Sequence, residues 1–243
     1  MRILVFTCVV LMAFQVQGQA DLTTFGIQVK PLVPNSYFNF STETVLSDNG
    51  VLEASWEPRP SLCFGMVIRH GFTDFFSVET GINLVRRNYE VRGVDEEEGI
   101  TGNTRFAFTG YEIPLQGLIY VRLGQEWWMN GAGGMSIDMY PSSTFASSAV
   151  EGDTLFYDFA VTTVKRRWVQ LSLLANLGFE YRHKSKGSFY LGASYHRPFN
   201  DMAISQLNYQ KGQEVSRANL ALNGNYFTID LRYFFHEKGN RRR

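Results

Sequence analysis

The sequence predicts an all-β chain: an eight-stranded antiparallel up-and-down barrel that spans a membrane. Three observations carry that expectation. Apolar and polar residues alternate with a period of two over stretches longer than a soluble strand needs. The connections between these stretches are alternately long and short. The chain also opens with the layout of an export signal.

The first element is that signal. Arg2 precedes an apolar run from Ile3 to Phe14, and Gln15 to Ala20 are polar or small. The run is too short for a membrane-spanning helix, which needs about 20 apolar residues. Cleavage after Gly18 divides the chain into a signal peptide, 1–18, and a barrel domain, 19–243; cleavage after Ala20 is the alternative. Cys8 leaves with the signal, so Cys63 has no partner for an intrachain disulfide or a cysteine-based metal site. The mature chain keeps 22 of 23 Lys and Arg against 23 Asp and Glu, a formal charge near −1. No basic stripe suggests nucleic acid, and the Arg241-Arg242-Arg243 tail reads as a solvated end.

Eight strands follow. In 25–31, Phe25, Ile27 and Val29 oppose Gly26, Gln28 and Lys30; in 62–70, Leu62, Phe64, Met66 and Ile68 oppose Cys63, Gly65, Val67 and Arg69. Residues 76–85 set Phe76, Val78, Ile82 and Leu84 against Ser77, Glu79, Gly81 and Asn83. A less regular strand lies around 106–122, with Tyr111, Ile113 and Leu115 against Glu112, Pro114 and Gln116. A bulge is expected at Pro114, which cannot donate a ladder bond. Residues 126–140 place Trp127, Met129, Met135 and Ile137 opposite Asn130, Ser136 and Asp138. The clearest strand is 169–182, whose odd positions from Val169 to Tyr181 are all apolar, against Gln170, Ser172, Asn176, Glu180 and Arg182. Residues 189–197 and 227–235 repeat the pattern.

Long gaps at about 32–60, 87–105, 141–167 and 198–222 alternate with tight ones at Thr73-Asp74, Arg122–Gln125 and His183–Gly187. Short periplasmic turns and long external loops show this rhythm, and an even strand number puts both termini in the periplasm.

The sense of the alternation separates membrane from water. The polar faces are rich in Gly, Ser and Ala, which suit the narrow interior of an eight-strand barrel. Bulky Phe, Leu, Met and Trp on every other position could not all fit inside one. Phe72, Tyr89, Trp127, Trp168, Tyr181, Phe199 and Phe235 lie near strand ends, as interfacial girdles require. The cell outer membrane and its lipid are the expected surroundings.

These segments, FGIQVKPLVP (25–34), FSVETGINLVRRNYE (76–90), GYEIPLQGLIYV (110–121), MNGAGGMSIDMYPS (129–142) and NYFTIDLRYFF (225–235), taken in order, resemble the eight-stranded outer-membrane barrels common in Bacteroidetes. They are also similar to the membrane half of OmpA-like proteins. Within that group the PorT proteins, accessories of type IX secretion and protein transport, are similar in size and layout. The resemblance implies a structural, assembly or secretion-accessory role and contacts with other envelope or secretion proteins. The last strand resembles the signal read by the barrel-insertion machinery, with Thr228, Tyr233 and Phe235 at its polar and aromatic positions. Asp230 departs from that pattern, and eight residues continue past Phe235.

The lumen-facing set contains Lys30, Arg69, Arg182 and Arg232, and Glu79, Glu112, Asp138, Glu180 and Asp230, with His196 near one end. Confined charges are costly unless paired, so an ion-pair plug is expected, with a small pore as the competing reading. No cofactor or metal motif is present, and the chain is not expected to be an enzyme. Lipid modification would need a nucleophile, a base and an acid at one rim, for which Ser194, His196 and Asp201 are the candidates. The run Asp95-Glu96-Glu97-Glu98 is expected to be a solvated loop. Tyr37, Phe38, Phe40, Trp56, Phe145, Leu155, Phe156 and Tyr157, in the long loops, are expected to be exposed partner contacts.

Overall fold

A computed structural model describes residues 22–33, 42–151, 156–183 and 185–236. The signal segment and the loop aromatics Tyr37, Phe38 and Phe40, with Leu155, lie outside the described residues. Among those described, thirteen strands are β1 (Leu22–Val33), β2 (Glu43–Leu46), β3 (Leu52–Gly71), β4 (Phe76–Asp95), β5 (Ile100–Arg122), β6 (Trp127–Met139), β7 (Thr144–Glu151), β8 (Phe156–Lys165), β9 (Val169–His183), β10 (Gly187–Pro198), β11 (Ala203–Lys211), β12 (Glu214–Leu222) and β13 (Tyr226–Phe234).

Eight of them close a barrel in the order β1-β13-β10-β9-β6-β5-β4-β3, with β3 returning to β1. Every neighbouring pair is antiparallel. Closure leaves no unpaired edge in the wall. In β9 the apolar face from Val169 to Phe179 is exposed, while Gln170, Ser172, Asn176 and Glu180 are buried. Leu177 is 59% exposed and Met66 61%, values a protein in water would not tolerate around its whole girth. The girdle residues Phe72, Trp127, Trp168, Phe199 and Phe235 are exposed near the strand ends.

The tight turns are made locally. At the first, the Thr73 hydroxyl accepts from the amides of Phe75 and Phe76, 3.3 and 3.0 Å away. Proline does not bulge β5. The β5–β6 register runs unbroken through Pro114↔Ser136, and the β4–β5 register is the same on both sides of Pro114. The missing donor interrupts the ladder without inserting a residue, and the Thr80 hydroxyl donates to the Pro114 carbonyl, 2.8 Å away. The bulge falls instead between Arg59 and Leu62, beside Pro58 and Pro60 in β3.

Among the described residues, the long connections are mostly strand rather than loop. β3, β4 and β5 run for 20, 20 and 23 residues, about twice the 9–11 that cross a bilayer. Their upper halves project from the barrel and carry β2 along β3. A second sheet, β12-β11-β8-β7, packs against them. The two enclose an apolar core containing Leu52, Trp56, Val91, Phe106, Phe108, Phe159, Leu207 and Leu222. We call this unit the head. Gly93 faces Gly102 across β4 and β5, and the Phe159 ring lies against both, where an added Cβ would collide. Gly212, the first of the two residues joining β11 to β12, has φ of +60°, a conformation that favours glycine.

The head corrects three expectations. Trp56 and Tyr157 are not partner contacts: they are 1% and 4% exposed, and the Trp56 indole donates to Ser205 Oγ at 2.9 Å. Tyr89 is not in the girdle, because it is buried and stacks on Phe106 at 5.3 Å between centroids. Asp95 is fully buried rather than solvated. It accepts from the Glu97 and Glu98 amides at the β4–β5 turn and from the Tyr209 hydroxyl at 2.8 Å.

Candidate functional site

Every residue of the sequence-derived lumen set points into the barrel. Lys30, Arg69, Glu79, Glu112, Asp138, Glu180, Asp230 and Arg232 are buried, and Arg182 is half-buried at the turn end. Alternation alone places them there, since each sits on the polar parity of its strand. They form a column along the barrel axis.

At the turn end Arg69 lies 3.1 Å from Glu79 and 2.7 Å from Glu180, and Arg182 lies 2.7 Å from Glu180. The Arg69 guanidinium is 3.7 Å from the Phe234 ring centroid, and that of Arg182 is 4.7 Å from the Tyr120 ring. Arg232 links this group to the next by pairing with both Glu79 and Asp230. Asp230 also faces Lys30 at 3.5 Å and accepts from Ser194, Thr228 and Asn176. Close by, the Tyr190 hydroxyl donates to Asn176 and lies against Gly178 and Gly192, a pair too tightly covered to bear side chains.

Above that, Gln28 donates to Asn83 at 2.6 Å, and Asn83 to Glu112 at 3.0 Å. Glu112 also accepts from the Tyr226 hydroxyl. Here the structure adds one residue from a presumed loop and draws another in from the rim. Arg87, assigned to a loop, is buried 4.9 Å from the Tyr226 ring centroid. His196, expected near a rim, is wholly buried: Nε2 is 3.0 Å from Asp138 and 3.5 Å from Glu112, and the ring stacks on Tyr226. Arg87 continues the inward parity of β4, which is the signal that could have found it; His196 already stood on the inward parity, and only its depth is new. Asp138 accepts also from Ser136 and Ser172. Beyond Arg87 the column meets Tyr140, which belongs to the apolar core of the head.

The column holds five cationic side chains (Lys30, Arg69, Arg87, Arg182, Arg232) and five carboxylates (Glu79, Glu112, Asp138, Glu180, Asp230), so its charges balance. Such pairing is what makes charges tolerable away from water. A 240 Å³ cavity lies at the turn end, lined by Arg69, Glu180, Arg182 and Phe234.

Glu112, Asp138 and His196 bring donor atoms within 4.8 Å of one another, a set that could hold a cation. Their carboxylates already accept from Tyr226, Ser136 and Ser172. The Ser194–His196–Asp201 arrangement does not assemble: Ser194 donates to Asp230, His196 faces Asp138, and Asp201 pairs with Arg166 on the surface at 2.7 Å. Of the assembly-signal residues, Thr228 is buried and bonded to Asp230, Tyr233 donates to the Lys186 carbonyl, and Phe235 is 50% exposed.

A closed antiparallel wall, an apolar exterior with aromatic ends and an ionic interior together define a membrane-spanning β-barrel. The family model described as "Outer membrane protein beta-barrel domain" matches residues 24–203, and the chain belongs to that family. It is an outer-membrane protein. The outer membrane protein OprG from Pseudomonas aeruginosa is 14% identical over 92% of this chain and 100% of its own, with a TM-score of 0.51, a likeness in fold alone. The outer membrane protease OmpT from Escherichia coli, 11% identical over 88% of this chain and 96% of its own, has a TM-score of 0.32, too low to carry an argument. No curated protein matched the sequence.

Proposed function

We propose that this protein is a non-conducting barrel that serves as an assembly or secretion-accessory platform, PorT-like and acting in type IX secretion, without catalytic activity. The head faces outside the cell and both termini lie in the periplasm. The observation that carries this reading is the stack of buried, paired charges inside an eight-strand lumen, from Arg182 at the turn end to Arg87, which meets the apolar core of the head. Open aqueous channels belong to barrels of about 16–18 strands. A role in docking draws support from Phe145 and Phe156, which remain 67% and 70% exposed on the head. Periplasmic termini are supported by strand number: β1 begins and β13 ends at the end of the barrel opposite the head.

Reconstitution in planar bilayers tests the plug, with no stable open level expected; a large sustained conductance favours the small pore. Protease added to intact cells is expected to cut the head and leave tags at either terminus untouched. For the platform role, the decisive comparison is a deletion strain. Secreted proteins are expected to fall while membrane lipids stay unchanged. Altered lipids with normal secretion would point to a lipid-modifying enzyme instead.

A further inference from the structure

The outward face of β3, β4 and β5 changes abruptly just above the apolar belt. The belt ends there at Leu62, Leu84 and Tyr111; Leu84 and Tyr111 are register partners, and Leu62 stands opposite Arg86. The next outward residue on β4 is Arg86, about 7 Å higher at two residues' rise. On the flanking strands Arg59 stands one step further up, level with Asn88 and Ala107, and Arg105 stands a step above that, opposite Glu90. Together these residues line a 420 Å³ cleft. Ala107 makes the hollow, since its small side chain leaves space on β5 beside Asn88 and below Arg105.

The guanidiniums are only partly neutralised. Glu90 lies between Arg59 and Arg105, 2.7 and 2.8 Å from them, and Glu57 is 3.2 Å from Arg59. Arg105 uses only Nε in that bond, and its side chain is 73% exposed. Arg86 bonds Asn88 Oδ1 at 3.3 Å and has no carboxylate partner among the described residues. Three positive forks therefore meet two carboxylates, directly above an apolar surface. A ligand that satisfies both halves has an acidic head and a greasy tail. Guanidinium forks match phosphate oxygens in particular.

We propose that this cleft binds the phosphorylated headgroup of an outer-leaflet lipid, whose acyl chains lie along Leu62, Leu84 and Tyr111. The assignment to the outer leaflet rests on the head facing outside, which cell-surface proteolysis tests separately; binding in detergent does not depend on it. The purified full-length protein in detergent is offered bisphosphorylated lipid A, the same lipid dephosphorylated, and inorganic phosphate, with retention read by native mass spectrometry. The phosphorylated lipid is expected to be retained about tenfold over the dephosphorylated one, a difference of about 1.4 kcal/mol. Arg86→Gln with Arg105→Gln removes that preference, whereas Arg217→Gln on the head keeps it. Arg86→Gln alone strands no carboxylate partner, so it lowers retention in a folded barrel if the double variant fails to fold. Equal retention of the two lipids, or undiminished retention by the arginine variants, overturns the proposal. Retention of inorganic phosphate undisplaced by the lipid overturns the lipid source.

Discussion

Strand β4 passes through two environments without changing its parity. In its lower half the outward residues are apolar, Ile82 and Leu84, and the inward ones polar, Glu79 and Asn83. In its upper half the outward residues are Arg86, Asn88, Glu90 and Arg92, and the inward ones Tyr89 and Val91. β5 inverts in the same way, from Glu112 and Gln116 inside to Phe106 and Phe108 inside. Period two identifies the strand; which face is apolar identifies the solvent. The barrel hides ions and shows grease to hydrocarbon, the head does the reverse in water, and the two meet along one line near Leu84 and Arg86.

Three experiments press on that contrast. The largest effect is expected in the ionic interior. Glu79→Ala leaves Arg69 and Arg232 without the carboxylate they share, a loss of about 3–5 kcal/mol for a broken buried pair. Urea unfolding in lipid vesicles measures it, and a change below about 1 kcal/mol would mean that water screens the column. Next is the outer face. Leu177→Arg on the belt is expected to cost about 2–4 kcal/mol at the bilayer midplane, whereas Asn103→Arg, outward on the head, stays within about 0.5 kcal/mol. Equal costs would erase the proposed line between the two surfaces. The smallest effect is at the head's tip. Glu98 is held below its ordinary 4.5 by hydrogen bonds from Lys211 and Tyr157. A depressed carboxylate contributes stability above its unfolded value and loses it as pH falls through the folded one. Protection of the amides at the β4–β5 turn, taken relative to intrinsic exchange at each pH, should therefore fall below about pH 4.5, and Glu98→Gln should abolish that response. If the variant responds like the parent, the pair does not tie down the tip.

The barrel was legible because its signal is strong where lipid is the solvent: the odd residues of 169–182 can only be sorted one way. The head was written in the same period with the opposite sense. Leu52, Ala54 and Trp56 alternate with Glu53, Ser55 and Glu57, and Tyr157, Phe159 and Val161 with Asp158, Ala160 and Thr162. Seeking greasy residues only on the outward parity turned these strands into loops and made Trp56 a surface contact. Pro114 misled differently, because a missing amide need not shift a register. Arg87 was hidden by an error of length, because β4 was cut short at 85 and left it in a loop; His196 was on the right face, but the head that caps it was not foreseen, so it was set at a rim. Local pattern fixes which way a side chain points, but only the full strand tells how deep it lies.

The ionic column also constrains how the molecule comes together. Arg232 and Glu79 are 153 residues apart in the chain, and Arg69 and Glu180 are 111 apart. Neither pair can form within a few adjoining hairpins. Until β1 meets β13, these groups line an open trough and keep it wet. Joining the two end strands is then the step that expels that water, so the last seam to zip sets the moment at which the interior becomes dry.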